Sequence, residues 1–349
     1  MNLPEINTTQ MLDFLVRLLN TPSPTGLADP AIDLIEKELA SIPDLKLART
    51  RKGGLVAFWP GLRSDAPRSL TAHADTLGAM VKEIKGNGRL QLTKIGGFAW
   101  NTVEGEGCWV FASNGRKVRG SLLLDTASSH VHGGAVNETK RDDSNMEVRL
   151  DAHTASASET ESLGIRVGDF VAFDPRVEVT EGFVRSRHLD DKACVAALVA
   201  AIASMAASAQ RPAQDAYFLF SNYEEVGHGA SAGIPAEVHE LVTVDMAAVG
   251  DGQASDEYHV TICLKDSGGP YHHGLSNKLR KLAEENGIAY KTDIYPYYGS
   301  DGEAFWRAGA DVAVALIGPG VDASHNYERT HTDAIVATAQ WTLAYLLSE

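Results

Sequence analysis

Residues 215–230 read DAYFLFSNYEEVGHGA. The run Tyr217–Phe220 is apolar on consecutive positions, as in a strand buried on both faces of a sheet. It is followed within five residues by two carboxylates, Glu224 and Glu225, and then by a glycine-rich turn. A strand that leaves the core and delivers two acids to one place predicts an α/β sheet with chemistry at its strand ends.

The same design recurs outward from this stretch. SLTAHAD (69–75) ends in His73 and Asp75, and HELVTVD (239–245) ends in Asp245. DVAVALIG (311–318) leads into PGVDASHNYERTH (319–331), which offers His325 and His331. RSRHLDDKACV (185–195) places Asp190 and Asp191 where a strand-like segment becomes a helix. Aspartate there suits a helix cap, and one of the pair is free to face a cleft. His73 and Asp75, two apart on a strand, share one face. A carboxylate beside a histidine can set its tautomer as a metal ligand. Histidines and carboxylates without thiolates suit zinc, cobalt or manganese.

The pattern between these strands is helical. TTQMLDFLVRLLN (8–20) reads as an amphipathic helix after a threonine cap. DPAIDLIEKELASI (29–42) starts with Asp29 as its cap and Pro30 in its first turn. DDKACVAALVAAIASMAAS (190–208), GLSNKLRKLAEENG (274–287) and DAIVATAQWTLAYLL (333–347) complete the set. From 79 to 178 this periodicity stops. Short β-like runs split by Gly, Asn and Asp predict a small inserted β-barrel or sandwich. Within it, residues 128–146 are polar and read as an exposed loop, with His130 and His132 solvated there. The expected architecture is a mixed sheet between helices, from residues 1–78 and 179–349, with a β-rich insert at 79–178.

Composition narrows the function classes. The 349 residues are 44% hydrophobic, ample for a large core. A net charge of −15 argues against a nucleic-acid partner. No apolar run approaches the ~20 residues that span a bilayer, so no membrane role is expected. The first residues read as a capped helix and not as a signal peptide. The odd number of cysteines, Cys108, Cys194 and Cys263, reads as reduced thiols of a cytoplasmic protein.

Taken in order, HADTLGAMV (73–81), ESLGIRVGDFV (161–171), HLDDK (188–192), NYEEVGHGA (222–230), TVDMA (243–247) and IGPGVDASH (317–325) resemble metallopeptidase family forty-two of clan MH. That family includes glutamyl, deblocking and tetrahedral (TET) aminopeptidases, and some members carry a cellulase or endoglucanase label. The resemblance covers nearly the whole chain. It implies a phosphorylase/hydrolase-like α/β fold and two divalent metal ions per subunit, zinc first, with cobalt or manganese as alternatives. Asp190 would bridge the metals, His73 and Asp245 would complete one site, and Glu225 and His325 the other. Glu224 would be the general base, Asp75 would orient His73, and Asp301 in YGSDGEAF (298–305) would line the substrate site. The insert would mediate dimerisation, with assemblies from dimer to dodecamer.

The expected reaction is removal of N-terminal residues from small peptides. The segment HNYERTH (325–331) departs from the usual family pattern, which often has His-Ser and then Pro. It resembles a branch associated with osmoprotectant systems. The alternative is therefore an amidohydrolase for a blocked dipeptide such as N-acetylglutaminylglutamine amide. A glucanase ranks far below, because glycosidases need two carboxylates flanking a sugar and no metal pair. A non-catalytic metal scaffold is the remaining reading.

Overall fold

The structure is a computed structural model and describes residues 2–349. The chain divides into two compact units. One runs to Asp75 and resumes over Arg176–Glu349, and the other is Thr76–Pro175.

The first unit is built on a mixed sheet. Its middle strands, Gln214–Ser221, Arg63–His73, Glu240–Val244 and Ala313–Asp322, lie side by side and parallel. Leu55–Trp59 and Val260–Asp266 flank them in antiparallel pairing. Register sets Phe218 opposite Leu70, Leu70 opposite Val242, and Val242 opposite Ala315. Alternate residues then face opposite sides. Leu70, Ala72, Phe218, Phe220, Val242, Val244, Ala315 and Ile317 join one core with the helices Thr8–Leu19, Leu189–Ala207 and Thr332–Leu347. Leu219, Leu241, Val314 and Leu316 join a second with Tyr271, Tyr295 and Phe305. Both faces are covered, which is why these strands read as unbroken apolar runs.

The caps differ from the sequence expectation. Asn7, and not a threonine, caps the first helix by accepting from Gln10 N at 3.1 Å. Ala28 occupies the cap of the second, so Asp29 contributes only its charge in the first turn. Neither Asp190 nor Asp191 caps the helix Leu189–Ala207. Both lie outside helical φ/ψ, and the peptide between them is cis. Asp191 instead accepts from the backbone N–H of His73 at 3.1 Å, tying the helix start to the end of a central strand.

Two strands approach closely beside the cluster of strand-end acids. A Cβ on Gly318 would stand 1.8 Å from the carbonyl oxygen of Asp245, whose own N–H donates to Ile317 at 3.0 Å. Gly318→Ala is therefore expected to push Asp245 aside. The overpacking costs about 1–3 kcal/mol, read by thermal unfolding, together with weakened metal binding, read by titration calorimetry. Wild-type behaviour in both would contradict the packing.

The second unit is a closed six-strand barrel, in the order Gly78–Ile84, Leu90–Ile95, Met146–Leu150, Lys117–Leu124, Gly107–Phe111, Phe170–Phe173. Val81, Leu92, Val110, Leu122, Val148 and Val171 fill its interior. Residues 128–146 are not wholly loop. They form two one-turn helices, Ser129–His132 and Ala135–Glu138, without buried residues.

Candidate metal centre

The parallel strands deliver His73, Ser221 and Asp245 at the same end of the sheet, with His73 directly opposite Ser221. Asp190 enters from the start of its helix. His73 Nε2 stands 3.0 Å from Asp190 Oδ1 and 3.7 Å from Glu224 Oε2. His325 Nε2 stands 3.4 Å from Asp190 Oδ2 and 3.8 Å from Glu225 Oε2. The two oxygens of Asp190 thus face two different imidazoles. Among the described residues, His73, Asp190 and Asp245 bring ligand atoms within 4.8 Å of one another. Asp190, Glu224, Glu225, Asp245 and His325 line one cleft.

The donor set fits cations. His73 Nδ1 is 2.9 Å from the carbonyl oxygen of Asp75, which can only accept. Nδ1 therefore carries the proton, and Nε2 turns its lone pair on the Asp190 carboxylate unless a positive charge lies between them. Protons supply that charge in the metal-free protein. Burial pushes Glu225 up to about 8, helped by Asp190. Burial pushes Asp245 to about 7, again with Asp190 adding. Glu224 rises well above the carboxylate range, from burial and the acids around it. Burial opposes ionisation of Asp190, yet hydrogen bonds from His325 and His73 hold it below the usual range. Burial likewise opposes charge on His73, but Asp190 and Glu224 raise it. Crowded acids that must borrow protons are groups that divalent cations would satisfy.

A pH dependence follows. Unfolded carboxylates titrate near about 4, so between there and the folded values of about 8 and about 7 the folded state binds more protons. Stability falls as pH rises through that window. His73, raised in the fold, loses its contribution in the same direction. Chelator-stripped protein is expected to melt lower at pH 8.5 than at pH 6. Zinc-loaded protein would not follow that trend, because cation binding replaces the protons. Parallel profiles in scanning calorimetry would contradict this.

The remaining expected site residues make the following contacts. Asp75 orients His73 through its main-chain carbonyl, since its carboxylate lies 3.8 Å from Nδ1. That carboxylate is engaged elsewhere. It accepts from Thr25 Oγ1 at 2.6 Å and from the N–H groups of Glu224 (3.3 Å) and Glu225 (3.4 Å), fixing the loop that carries both glutamates. Asp301 is buried and does not line the cleft. It accepts from Thr71 at 3.1 Å, Ser221 at 2.5 Å and Ala230 N at 2.7 Å, so it joins the strand ends to the glutamate loop. His331 stands apart from this cluster. It accepts from Asp333 N at 3.2 Å as a helix cap and packs edge-on against Phe183. His130 and His132 are exposed.

Two further residues brace the cluster without a motif to mark them. Glu328 is fully buried and accepts from the N–H groups of Asp190 and His325, each at 3.0 Å, bracing both sides of the cluster. Lys52 donates to the carbonyl oxygens of His228 and Gly229 and to Ser231 Oγ, holding the far end of the glutamate loop. An acid inside the alternating segment Glu328–His331 is the one visible hint for Glu328.

Comparison with known proteins gives the family and the fold. Residues 53–341 match the M42 glutamyl aminopeptidase family. The protein named "Putative aminopeptidase YhfE" of Bacillus subtilis (strain 168) is 48% identical over 338 residues, covering 97% of each chain. Aminopeptidase APDkam598 of the archaeon Desulfurococcus kamchatkensis has the same fold, with a TM-score of 0.87 at 22% identity over 97% of this chain and 95% of its own. So has the TET1 peptidase of Pyrococcus horikoshii, which can assemble into a tetrahedron or a large octahedral shell, with a TM-score of 0.86 at 20% identity over 97% and 100%. With its strand-end acids and histidines gathered in one cleft, the chain belongs to the M42 glutamyl aminopeptidase family and is a peptidase.

Proposed function

We propose that the protein is a dinuclear-metal aminopeptidase that releases N-terminal residues from small peptides. The observation that carries this reading is Asp190, whose two oxygens face His73 on one side and His325 on the other. His73, Asp190 and Asp245 would hold one cation; Asp190, Glu225 and His325 would hold the second. Zinc suits this nitrogen and oxygen set best, with cobalt or manganese as substitutes. Bound there, the cations would supply Lewis acidity for water activation and carbonyl polarisation.

The remaining chemistry belongs to the chain. Glu224 lies against the cluster but is left out of both ligand sets, so it takes the proton of the attacking water. It then hands that proton to the leaving amine as the C–N bond breaks. Its backbone is fixed by Asp75, so its carboxylate is presented from a held loop. Asp75 also fixes the His73 tautomer through its carbonyl. Water and amide become a carboxylic acid and an amine, with no redox partner required.

The inserted barrel is the proposed dimerisation unit of a homo-oligomer. Val131 and Val167 are exposed on it, each by more than half. Three buried, unpaired cysteines suit a reducing cytoplasm. No helix among the described residues is long and apolar enough to cross a membrane.

The test is hydrolysis by metal-stripped protein re-supplied with zinc, cobalt or manganese. Free-amine dipeptides and aminoacyl anilides are compared with acetylated or amidated dipeptides. Metal-dependent release from free-amine substrates alone is expected. Cleavage of blocked substrates alone would make the protein an amidohydrolase instead. Chelator-insensitive activity on a glucan would overturn the metal mechanism.

A further inference from the structure

The cleft extends from the ligands to a wall formed by Tyr297, Tyr298, Gly299, Ser300, Glu303 and Arg307. Tyr298 of this wall hydrogen-bonds Asp245, and the proposed metal chemistry uses none of its other residues. Its polar end is the helix Asp301–Arg307, in whose first turn Glu303 is 5% exposed yet borders the cleft.

Behind Glu303 lies a second acid. Asp266, fully buried, accepts from Gly268 N at 2.9 Å and from Tyr271 OH at 2.5 Å, and that hydroxyl is 2.7 Å from Ser300 Oγ. Gly268 leaves the space the acid pair needs, since a Cβ there would stand 1.6 Å from Glu303 Oε1. Burial and the hydrogen bond with Asp266 push the Glu303 carboxyl up to about 7. Among the described residues, one cation answers this pair. Arg307 reaches Glu303 Oε2 at 2.6 Å, but its side chain is 64% exposed. Water screens an ion pair so placed. Lys265 follows the alternation of its strand to the opposite, exposed side, and its ammonium donates to the Asp266 main-chain carbonyl at 2.8 Å. The Glu303 carboxyl thus borders the cleft with Asp266 buried behind it, and the one guanidinium beside them is exposed to water.

The approach to that wall is aromatic. Tyr298 and the fully exposed Tyr297 line the same cleft as the metal ligands and Glu303. Tyrosine rings pack well against methylene stems and attract a cation over their faces. A long side chain with an apolar stem and a positive tip suits both features.

We propose that Glu303, backed by Asp266, is the specificity determinant of the cleft and selects peptides whose N-terminal side chain is cationic, lysine or arginine. This rests on the aminopeptidase reading above. The substrate's ammonium or guanidinium would hydrogen-bond the Glu303 carboxylate, and Tyr297 and Tyr298 would cover its stem.

The experiment compares metal-loaded wild type, Glu303→Gln and Arg307→Met. Substrates are the p-nitroanilides of lysine, arginine, norleucine and glutamate. Calorimetry measures L-lysinamide and L-norleucinamide binding alongside, independent of turnover. Wild type is expected to favour lysine over norleucine by about 10-fold or more in kcat/KM, as a charge-assisted hydrogen bond allows. Glu303→Gln should collapse that ratio to near one, chiefly through KM, with norleucine turnover within about threefold of wild type. Arg307→Met should keep or raise the lysine preference. Equal losses on every substrate in Glu303→Gln would reduce Glu303 to a structural role and overturn the proposal. A glutamate preference lost in Arg307→Met would assign the wall to anions and overturn it as well. If all anilides are silent, the aminopeptidase reading fails. The lysinamide-to-norleucinamide affinity ratio, and its loss in Glu303→Gln, then still decides the role of Glu303.

Discussion

Replacing Glu224 by glutamine is expected to lower kcat by about 10²–10⁴-fold, the range general acid–base catalysis supplies, while two cations per subunit remain bound. The side chain keeps its size, and its backbone N–H keeps its bond to Asp75. The proposed ligand sets through Asp190, Asp245, Glu225 and the two histidines are untouched. What is lost is the group that accepts a proton. KM for a free-amine dipeptide should change little, because the defect lies in the chemical step. Metal content by mass spectrometry and steady-state kinetics on the same preparation check both halves. A variant that loses metal would place Glu224 among the ligands. A fully active one would leave the site without a base and favour a non-catalytic scaffold.

Asp190→Asn should act on metal binding first. The asparagine has nearly the same shape but one charge less, and its amide nitrogen turns a donor on one of the two sides that now accept. His73 and His325 both face Asp190 oxygens, so either orientation of the amide spoils one site. Loss of an outer-shell partner costs about 10–100-fold in metal affinity, and a shared first ligand should exceed that. The expected result is at most one bound cation and no measurable hydrolysis. Two cations held at wild-type affinity would show that Asp190 is not shared.

Much of this site is legible in the amino-acid sequence. The acids and histidines follow apolar strands, and a parallel strand covered on both faces leaves an unbroken apolar run. That is why residues 215–221, 239–244 and 311–318 point to Glu224, Glu225, Asp245 and His325. The strand Tyr290–Ile294 leaves no such trace, because its positions are half-buried and mixed in character. The short helices within residues 128–146 are exposed and lack any apolar stripe.

Roles set by distant contacts are less legible. Glu328 binds two backbone N–H groups that lie 138 and 3 residues away in sequence. Asp75 looks like a partner of the His73 ring because it lies two residues along the strand. The fold instead brings the glutamate loop, about 150 residues on, to its carboxylate. Asp301 sits in a stretch typical of a site wall, yet its bonds run to Thr71, Ser221 and Ala230 on three separate segments. Proximity in sequence shows only the main-chain bond of Asp75 to His73, and none of the long-range bonds of either aspartate.

The positions of the bound metals decide most directly between a shared and an unshared Asp190. Crystals of the protein soaked in zinc, with anomalous diffraction collected on both sides of the zinc absorption edge, would locate each ion. Two peaks are expected, one held by His73, Asp190 and Asp245 and the other by Asp190, Glu225 and His325, with Glu224 outside both. A single ion, or ions that leave the Asp190 oxygens unshared, would contradict a dinuclear centre built on that aspartate.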